Sequence, residues 1–465
     1  MQPTPRTLPD KRLLALVGTL LALAWLAFQL TSLRSYPPVT CDEAFYTDSA
    51  LRFTQAILSG NAWPQQGVRF FLPHGRAYWL MLGSAARAFG PTVFVVRLVS
   101  LLGLAALAAA TYLLGVQVTA SKRVALWSAA LVAASWIGLL AGHRARPDVW
   151  AAAAAIATVG LAYGLLAGRH AWWACSLLGL VAVLQLDLHP IGVYVVSGLG
   201  LYVGGRLARE RAFTALLAFA AGLLLGGLIY LWLHWFQPLG AAATVPTPGA
   251  IFASHGFDLS RAGGGTLPGR LWRAAQWFAS FWWGYYAWLA SVASLPQAAL
   301  FVFGLAYALI RGHSDLRLLS WLVVVSSLAF AVVNADYTAP PGYAALWSPL
   351  YTVLGVYALF DLPGRLAHRP HWDRWLPVGL LGGLLALYAA GGLYLAARSH
   401  PTDYTRAGQQ IASAVEPGSR VFGNAVWWFA LHSRATLIEE ATLLVFNRAA
   451  AGEVRLTDSI WYPLN

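Results

Sequence analysis

Long, unbroken apolar runs alternate along this chain with short polar segments. Most of the runs reach the ~20 residues that a helix needs to cross a hydrocarbon core. About eleven can be counted, at roughly 13–33, 91–116, 123–141, 149–167, 171–187, 190–205, 212–234, 292–311, 318–335, 343–360 and 376–396. The fifth and sixth are separated only by Leu188 and His189. The stretch 76–90 is apolar but short, which suits a helix lying in the membrane interface. None of this is the apolar–polar alternation of a membrane β-barrel. The pattern predicts an all-α polytopic membrane protein of about eleven transmembrane helices.

The polar segments give an orientation. Lys11 and Arg12; Lys122 and Arg123; Arg169; Arg206, Arg209 and Arg211; Arg311 and Arg317; and Arg365, Arg369 and Arg374 occupy alternate short loops. With eleven spans these loops share one side, which the positive-inside rule makes the cytoplasm. The N-terminus is then inside and the C-terminus outside. Three longer segments fall on the outer side: about 34–90, about 235–286, rich in Gly and Pro, and about 398–465. The chain thus divides into a transmembrane domain, 1–397, and a small extracytoplasmic C-terminal module, 398–465. In that module the residues read as helix over about 403–415, a turn at Glu416-Pro417-Gly418, a strand at Arg420–Phe422, then helix through Glu439 and Glu440. The module has the look of a small α/β unit, marginal in size for independent folding.

Composition agrees. The 465 residues are 58% hydrophobic and only 11% charged, against about 25% charged in an average soluble domain. Mean hydropathy is +0.60, far from a disordered composition. The net charge of +13 would suggest nucleic acid in a soluble protein, but here much of the excess lies in the short basic loops, so topology explains it and nucleic acid is not expected as a partner. Cys41 and Cys175 are too few and too separated for a disulfide framework or a metal site. The first apolar run is too long for a signal-peptide core and reads as a retained helix.

Acidic residues are scarce, so their positions carry information. Asp42 and Glu43 sit just past the first helix in CDEAFYTDSA. A carboxylate pair at a membrane surface suits a general base, since burial and a neighbouring charge both raise a carboxylate pKa; equally, the pair favours the start of a helix. The second cluster is HRARPDVW, with His143, Arg144, Arg146 and Asp148. Its cations lie on the side where positive charge is disfavoured and call for an anion, for which a phosphate would serve, or lipid headgroups. Asp148 after Pro147 suits a helix start. A third cluster, RFFLPHGRAYW, combines Arg69, His74 and Arg76 with interfacial aromatics. Asp187 and His189 follow in LDLHPIG, where they read as a pair at a turn, and Arg97 is placed to snorkel to the headgroups. His255 and Asp258, the Trp-rich run 276–288, and Glu439 with Glu440 read as weaker candidates. Walker, GxGxxG, HExxH and CxxC motifs are absent from the sequence.

The order of these clusters resembles the GT-C superfamily of membrane glycosyltransferases, in particular the group of protein O-mannosyltransferase-like enzymes and lipid A aminoarabinose transferase. The likeness rests on the Asp42-Glu43 pair after the first helix, an aromatic-rich turn ahead of Gly90-Pro91 and Arg97, the Arg144–Asp148 element, and DYTAPPGYAALWSPLY at 336–351. It covers about 10–205 and extends beyond by topology. The chain departs from the group's turns at Pro73-His74-Gly75-Arg76 and at Leu188-His189-Pro190. A divalent cation is left open, with no ligand motif to support it.

The resemblance implies transfer of a sugar from a polyprenyl-phosphate-linked donor to an acceptor hydroxyl of a lipid, glycan or protein, with inversion, outside the cytoplasmic membrane. Asp42 would be the base, Glu43 second to it, and Asp148 a support of the donor or acceptor site. Arg76, Arg144, Arg146, His74 and His189 would hold the donor phosphate. A transporter or flippase of an anionic lipid shares the helices and the outer arginines, but would favour charges near the bilayer midplane.

Overall fold

Each apolar run of the sequence carries a helix. The structure, a computed structural model, describes residues 11–59, 76–166, 168, 171–232, 268–269, 272, 288–333, 341–366, 372–399, 404–423 and 425–439. Arg69, His74, His255, Asp258, Glu440 and nearly all of the Trp-rich run lie outside the described residues. Ten helices come first: α1 (Lys11–Ser32), α2 (Cys41–Leu58), α3 (Arg76–Phe89), α4 (Val93–Thr119), α5 (Lys122–Ala134), α6 (Trp136–Gly142), α7 (Asp148–Leu166), α8 (Trp172–Leu184), α9 (Val193–Arg209) and α10 (Phe213–Leu231). Helices Trp288–Arg311, Ser314–Val333, Ser348–Leu366 and Trp372–Ser399 follow.

This is a multi-pass membrane protein. Among the described residues, four helices are long and apolar enough to cross a membrane by length and composition: Val93–Thr119, Asp148–Leu166, Phe213–Leu231 and Trp375–Arg398. The pair α5 and α6, bent by 60°, makes a fifth if it is one span. Large apolar side chains stand exposed on these helices, among them Leu102 and Leu113 on α4 and Leu217, Leu224 and Leu228 on α10. A water-facing surface would not carry so much apolar area, and lipid covers it without cost.

Ser135 breaks the run that the sequence presents as one helix over 123–141. Its backbone is extended (φ −62°, ψ 153°), and its hydroxyl accepts the Gly138 N–H at 3.0 Å, so it caps a new helix. The bend turns the end of α6 and the loop after it toward the start of α2. At the same end, Arg97 of α4 reaches Leu33, just past α1. The opposite end is tied by Arg206 of α9, which meets Asp315 and the Leu166 carbonyl. Helix ends therefore sort into two sets. The carboxylate-bearing starts of α2 and α7 share one, and the basic α9 terminus belongs to the other.

The hairpin of α2 and α3 is not a span. Tyr46, Phe53, Tyr78, Trp79 and Val96 form a small core that seats it on α4. The C-terminal module rests on the same hairpin through Phe429. In that module a helix, Tyr404–Ala414, precedes strands β1 (Arg420–Gly423) and β2 (Thr436–Glu439). The strands pair in parallel, Arg420 opposite Thr436 and Gly423 opposite Glu439. The helix expected through Glu439 is thus a strand: Thr-Leu-Ile is a good strand segment, and β1 offers it an edge.

The tightest helix contact lies between α8 and α10. A Cβ on Gly222 would fall 1.9 Å from the Ser176 carbonyl oxygen, and one on Gly179 would fall 2.4 Å from that of Phe219. With Gly226, Gly222 forms the small-xxx-small spacing that lets two helices touch at the backbone. Gly222→Val should force the helices apart and destabilise the protein by about 1–3 kcal/mol. The check is the thermal unfolding midpoint in detergent, with Gly227→Ala, whose Cβ meets open space, unchanged.

Candidate active site

The site grows from one carboxylate. Thr40 and Glu43 open α2 as the two ends of a capping box, so the Glu43 side chain turns back and accepts the Thr40 N–H at 2.9 Å. Its oxygens also accept from Arg97 Nε at 2.8 Å and Nη2 at 2.9 Å, and from the Ala145 N–H at 3.1 Å. Arg97 gives its remaining Nη1 to the Leu33 carbonyl at 2.9 Å. Both side chains of the pair are 0% exposed. Burial alone would raise the Glu43 pKa, but the Arg97 charge and these hydrogen bonds outweigh it and bring it below the usual carboxylate value. Arg97 does not snorkel: it is a fully buried partner. Glu43 is saturated and faces no open space, so the geometry gives it the part of an anchor rather than that of a base.

The second chain of charges runs through the loop between α6 and α7. Arg146 Nε donates to Asp148 Oδ2 at 2.8 Å, and its Nη1 donates to Asp42 Oδ2. Its guanidinium lies over the rings of Tyr46 and Tyr343, 5.9 and 5.8 Å from their centroids. Burial disfavours its charge, yet Asp148 and Asp42 outweigh that and hold its pKa above the ordinary arginine value. The carboxylates differ in access. The Asp42 side chain is 40% exposed and that of Asp148 only 3%.

His189 closes the group from the α8–α9 turn. The Ile191 N–H donates to its Nδ1 at 3.1 Å, so the proton of the neutral ring sits on Nε2. That nitrogen is 3.7 Å from Asp148 Oδ1, an oxygen that is buried and takes no hydrogen bond among the described residues. The ring meets Tyr343 edge-on at 5.5 Å. Tyr46 and Tyr343 were not singled out in the sequence as site residues, although Tyr343 falls within the stretch 336–351.

Arg144 differs from its neighbours. Its Nε is buried and has no hydrogen-bond partner among the described residues. Burial lowers its pKa, partly countered by Glu43. It is the loop cation still in need of an anion. His143 is not: its ring nitrogens meet the Tyr36 carbonyl, at 3.0 Å, and Gln29 Oε1. Burial takes its pKa down to about 4, so it is neutral near pH 7 and adds no charge to the cluster.

Asp42, Arg144, Arg146, Asp148 and His189 are thus brought together at one end of the helices, with Glu43 behind them. Arg76 belongs to a neighbouring group. It begins α3, where Asp187 accepts the Ala77 N–H at 2.9 Å. Burial lowers the Arg76 pKa, and the charge of Asp187 opposes that. Asp187 therefore caps a helix start, as a carboxylate does well. Among the described residues, no three His, Cys, Asp or Glu side chains converge as metal ligands.

The same arrangement of helices is found in solved transferases. ArnT from Cupriavidus metallidurans bound to undecaprenyl phosphate superposes with a TM-score of 0.59 at 16% identity, covering 95% of this chain and 89% of that one. Its apo state gives 0.56 at 15%, with the same coverage. The Archaeoglobus fulgidus oligosaccharyltransferase in complex with Zn and sulfate gives 0.51 at 13%, covering 89% of this chain and 62% of that longer one. No family model matches the sequence, and no curated protein matches it. The chain shares its fold with ArnT and with this oligosaccharyltransferase, in line with the resemblance drawn from the order of the sequence clusters.

Removing one member of a buried ion pair costs about 3–5 kcal/mol, because the other charge is left stranded. Glu43→Gln should therefore lower the unfolding midpoint sharply in detergent. The double variant Glu43→Gln/Arg97→Met should recover part of the loss. A double variant no better than the single would show that the pair does not set the stability of this end.

Proposed function

We propose that the protein transfers a sugar from a polyprenyl-phosphate-linked donor to an acceptor hydroxyl, with inversion, and that Asp42 is the base. The observation that carries this is the contrast within the cluster. One carboxylate, Asp42, is accessible, and one buried arginine nitrogen, on Arg144, lacks an acceptor among the described residues. Arg144 as a residue is only partly buried, so a phosphate placed against its guanidinium would meet a positive charge close to Asp42. The fold supports the reading, since ArnT of the same fold is bound to undecaprenyl phosphate.

Asp42 takes the proton of the acceptor hydroxyl as its oxygen attacks the anomeric carbon. The bond from that carbon to the phosphate oxygen breaks, and its electron pair leaves with the phosphate. Arg144 meets the growing charge. Arg146 has spent two of its nitrogens on Asp42 and Asp148, so it steadies the base. His189, with its Nε2 proton, and Asp148 line the same side. Arg76 and His74 remain donor-phosphate candidates from the α3 end. A divalent cation fits the described residues poorly. Asp42 and Asp148 already hold Arg146, and Glu43 is consumed by Arg97. No step here runs through a metal.

Asp42→Asn should fold and bind donor normally but transfer labelled sugar at least about a hundredfold more slowly, within the roughly 10²–10⁴ of general base catalysis. Near-normal transfer would move the base to Asp148. Arg144→Ala should weaken polyprenyl-phosphate binding by roughly 1.5–3 kcal/mol, one charge-assisted hydrogen bond. Unchanged affinity would return Arg144 to a structural part.

The reading places the site and the C-terminal module outside the cytoplasm, with eleven spans and the N-terminus inside. In a Cys41→Ser background, Ser419→Cys should react with an impermeant thiol reagent on intact cells. Reaction only after the membrane is opened would reverse the orientation.

A further inference from the structure

We propose that the Arg146 guanidinium is a built-in counter-cation, occupying the position between Asp42 and Asp148 where a divalent ion would otherwise stand, so that the site works without one. The inference rests on the transferase reading for its consequence, but not for its geometry. Nε donates to Asp148 and Nη1 to Asp42, so a single planar group spans both carboxylates. The side chain is 5% exposed, and the Tyr46 and Tyr343 rings hold it by their faces. Its backbone is fixed as well, because the preceding Ala145 N–H is bonded to the buried Glu43.

Two carboxylates that converge require positive charge between them, or one of them takes up a proton. A divalent ion meets that need with several oxygen ligands. Here the third carboxylate within reach of the loop, Glu43, is bound to Arg97. An ion entering between Asp42 and Asp148 would also sit beside a guanidinium that does not deprotonate. To enter, it would have to expel Arg146 from its ion pairs and leave it buried without a partner.

The substitution of charge type has a chemical consequence. A single positive charge shared by two carboxylates leaves the trio with net charge −1, whereas a divalent ion would cancel it. Asp42 is the exposed member of the trio. Arg146 is in this sense a positioning residue: it fixes the Asp42 carboxylate toward solvent and balances its charge without consuming it.

The test compares chelation, metal binding and transfer in the full-length protein in detergent. Wild type treated with EDTA should transfer sugar at its untreated rate, and Mn²⁺ titrated into it should show no bound ion by electron paramagnetic resonance. Arg146→Ala should transfer roughly 10²–10³ more slowly and gain a bound Mn²⁺, which Arg146→Ala/Asp148→Asn should lose. Arg146→Lys keeps the charge and should recover part of the transfer while binding no Mn²⁺. Mn²⁺ held by the wild type and released in Asp42→Asn would overturn the proposal, as would a folded Arg146→Ala that binds none. The Mn²⁺ signal needs no turnover, so it stands or falls apart from the transferase reading. Should Arg146→Ala fail to fold, the wild-type titration alone decides.

Discussion

Arg97 and Glu43 meet where neither side chain touches water, and the rest of the site hangs on their pairing. Taking two charges out of water is expensive, and their attraction repays it only when every remaining donor and acceptor is filled. Here they are filled by the Leu33 carbonyl, the Thr40 N–H and the Ala145 N–H. Each of those groups belongs to a different segment: the end of α1, the cap of α2 and the loop between α6 and α7. One buried pair between α4 and α2 therefore sets where α2 begins and where that loop runs. Asp42 is one residue from the pair and Arg144 and Arg146 flank Ala145, so the reactive groups inherit their positions from it.

Three carboxylates at this end have three different environments, and environment divides their work. Glu43 is sealed in and saturated. Asp148 is buried, with one oxygen on Arg146 and the other facing His189 at 3.7 Å. Asp42 alone is open to a ligand while tethered to a cation. The arginines divide in the same way. Arg97 holds the scaffold, Arg146 bridges carboxylates, and Arg144 keeps a nitrogen unpaired. A polar network in which most members are satisfied is rigid, and at the loop between α6 and α7 the atoms left unmet among the described residues are Arg144 Nε and Asp148 Oδ1.

The surroundings serve that end in different ways. Lipid-facing leucines keep the helices in the bilayer, and the glycine contact between α8 and α10 holds two of them at backbone distance. The hairpin of α2 and α3 and the C-terminal module form a cap of aromatic side chains over the start of α4. Asp42 thus sits at the border between this cap and the spanning helices.

The apolar runs, the capping residues and the clusters around Asp42 and Asp148 were legible in the sequence because each is a local property. A bilayer acts on every 20-residue segment separately, so hydropathy alone places helices, and a basic loop is recognised by its own residues. The break at Ser135 was not legible, since a serine is tolerated within an apolar helix as readily as at a cap, and only the neighbours decide. The strand at Thr436–Glu439 needed β1 as a partner before it could differ from a helix. The assignment of charges was least legible. Arg97 lies 54 residues from Glu43, and Arg146 lies 104 from Asp42. Coulomb attraction and desolvation depend on distance and burial in space, and the chain between two such residues carries no trace of either. Local sequence set which residues were available for chemistry and roughly at which helix ends; the packing of the helices settled which carboxylate was locked away, which was bridged, and which was left open, because only packing excludes water from one and admits it to another.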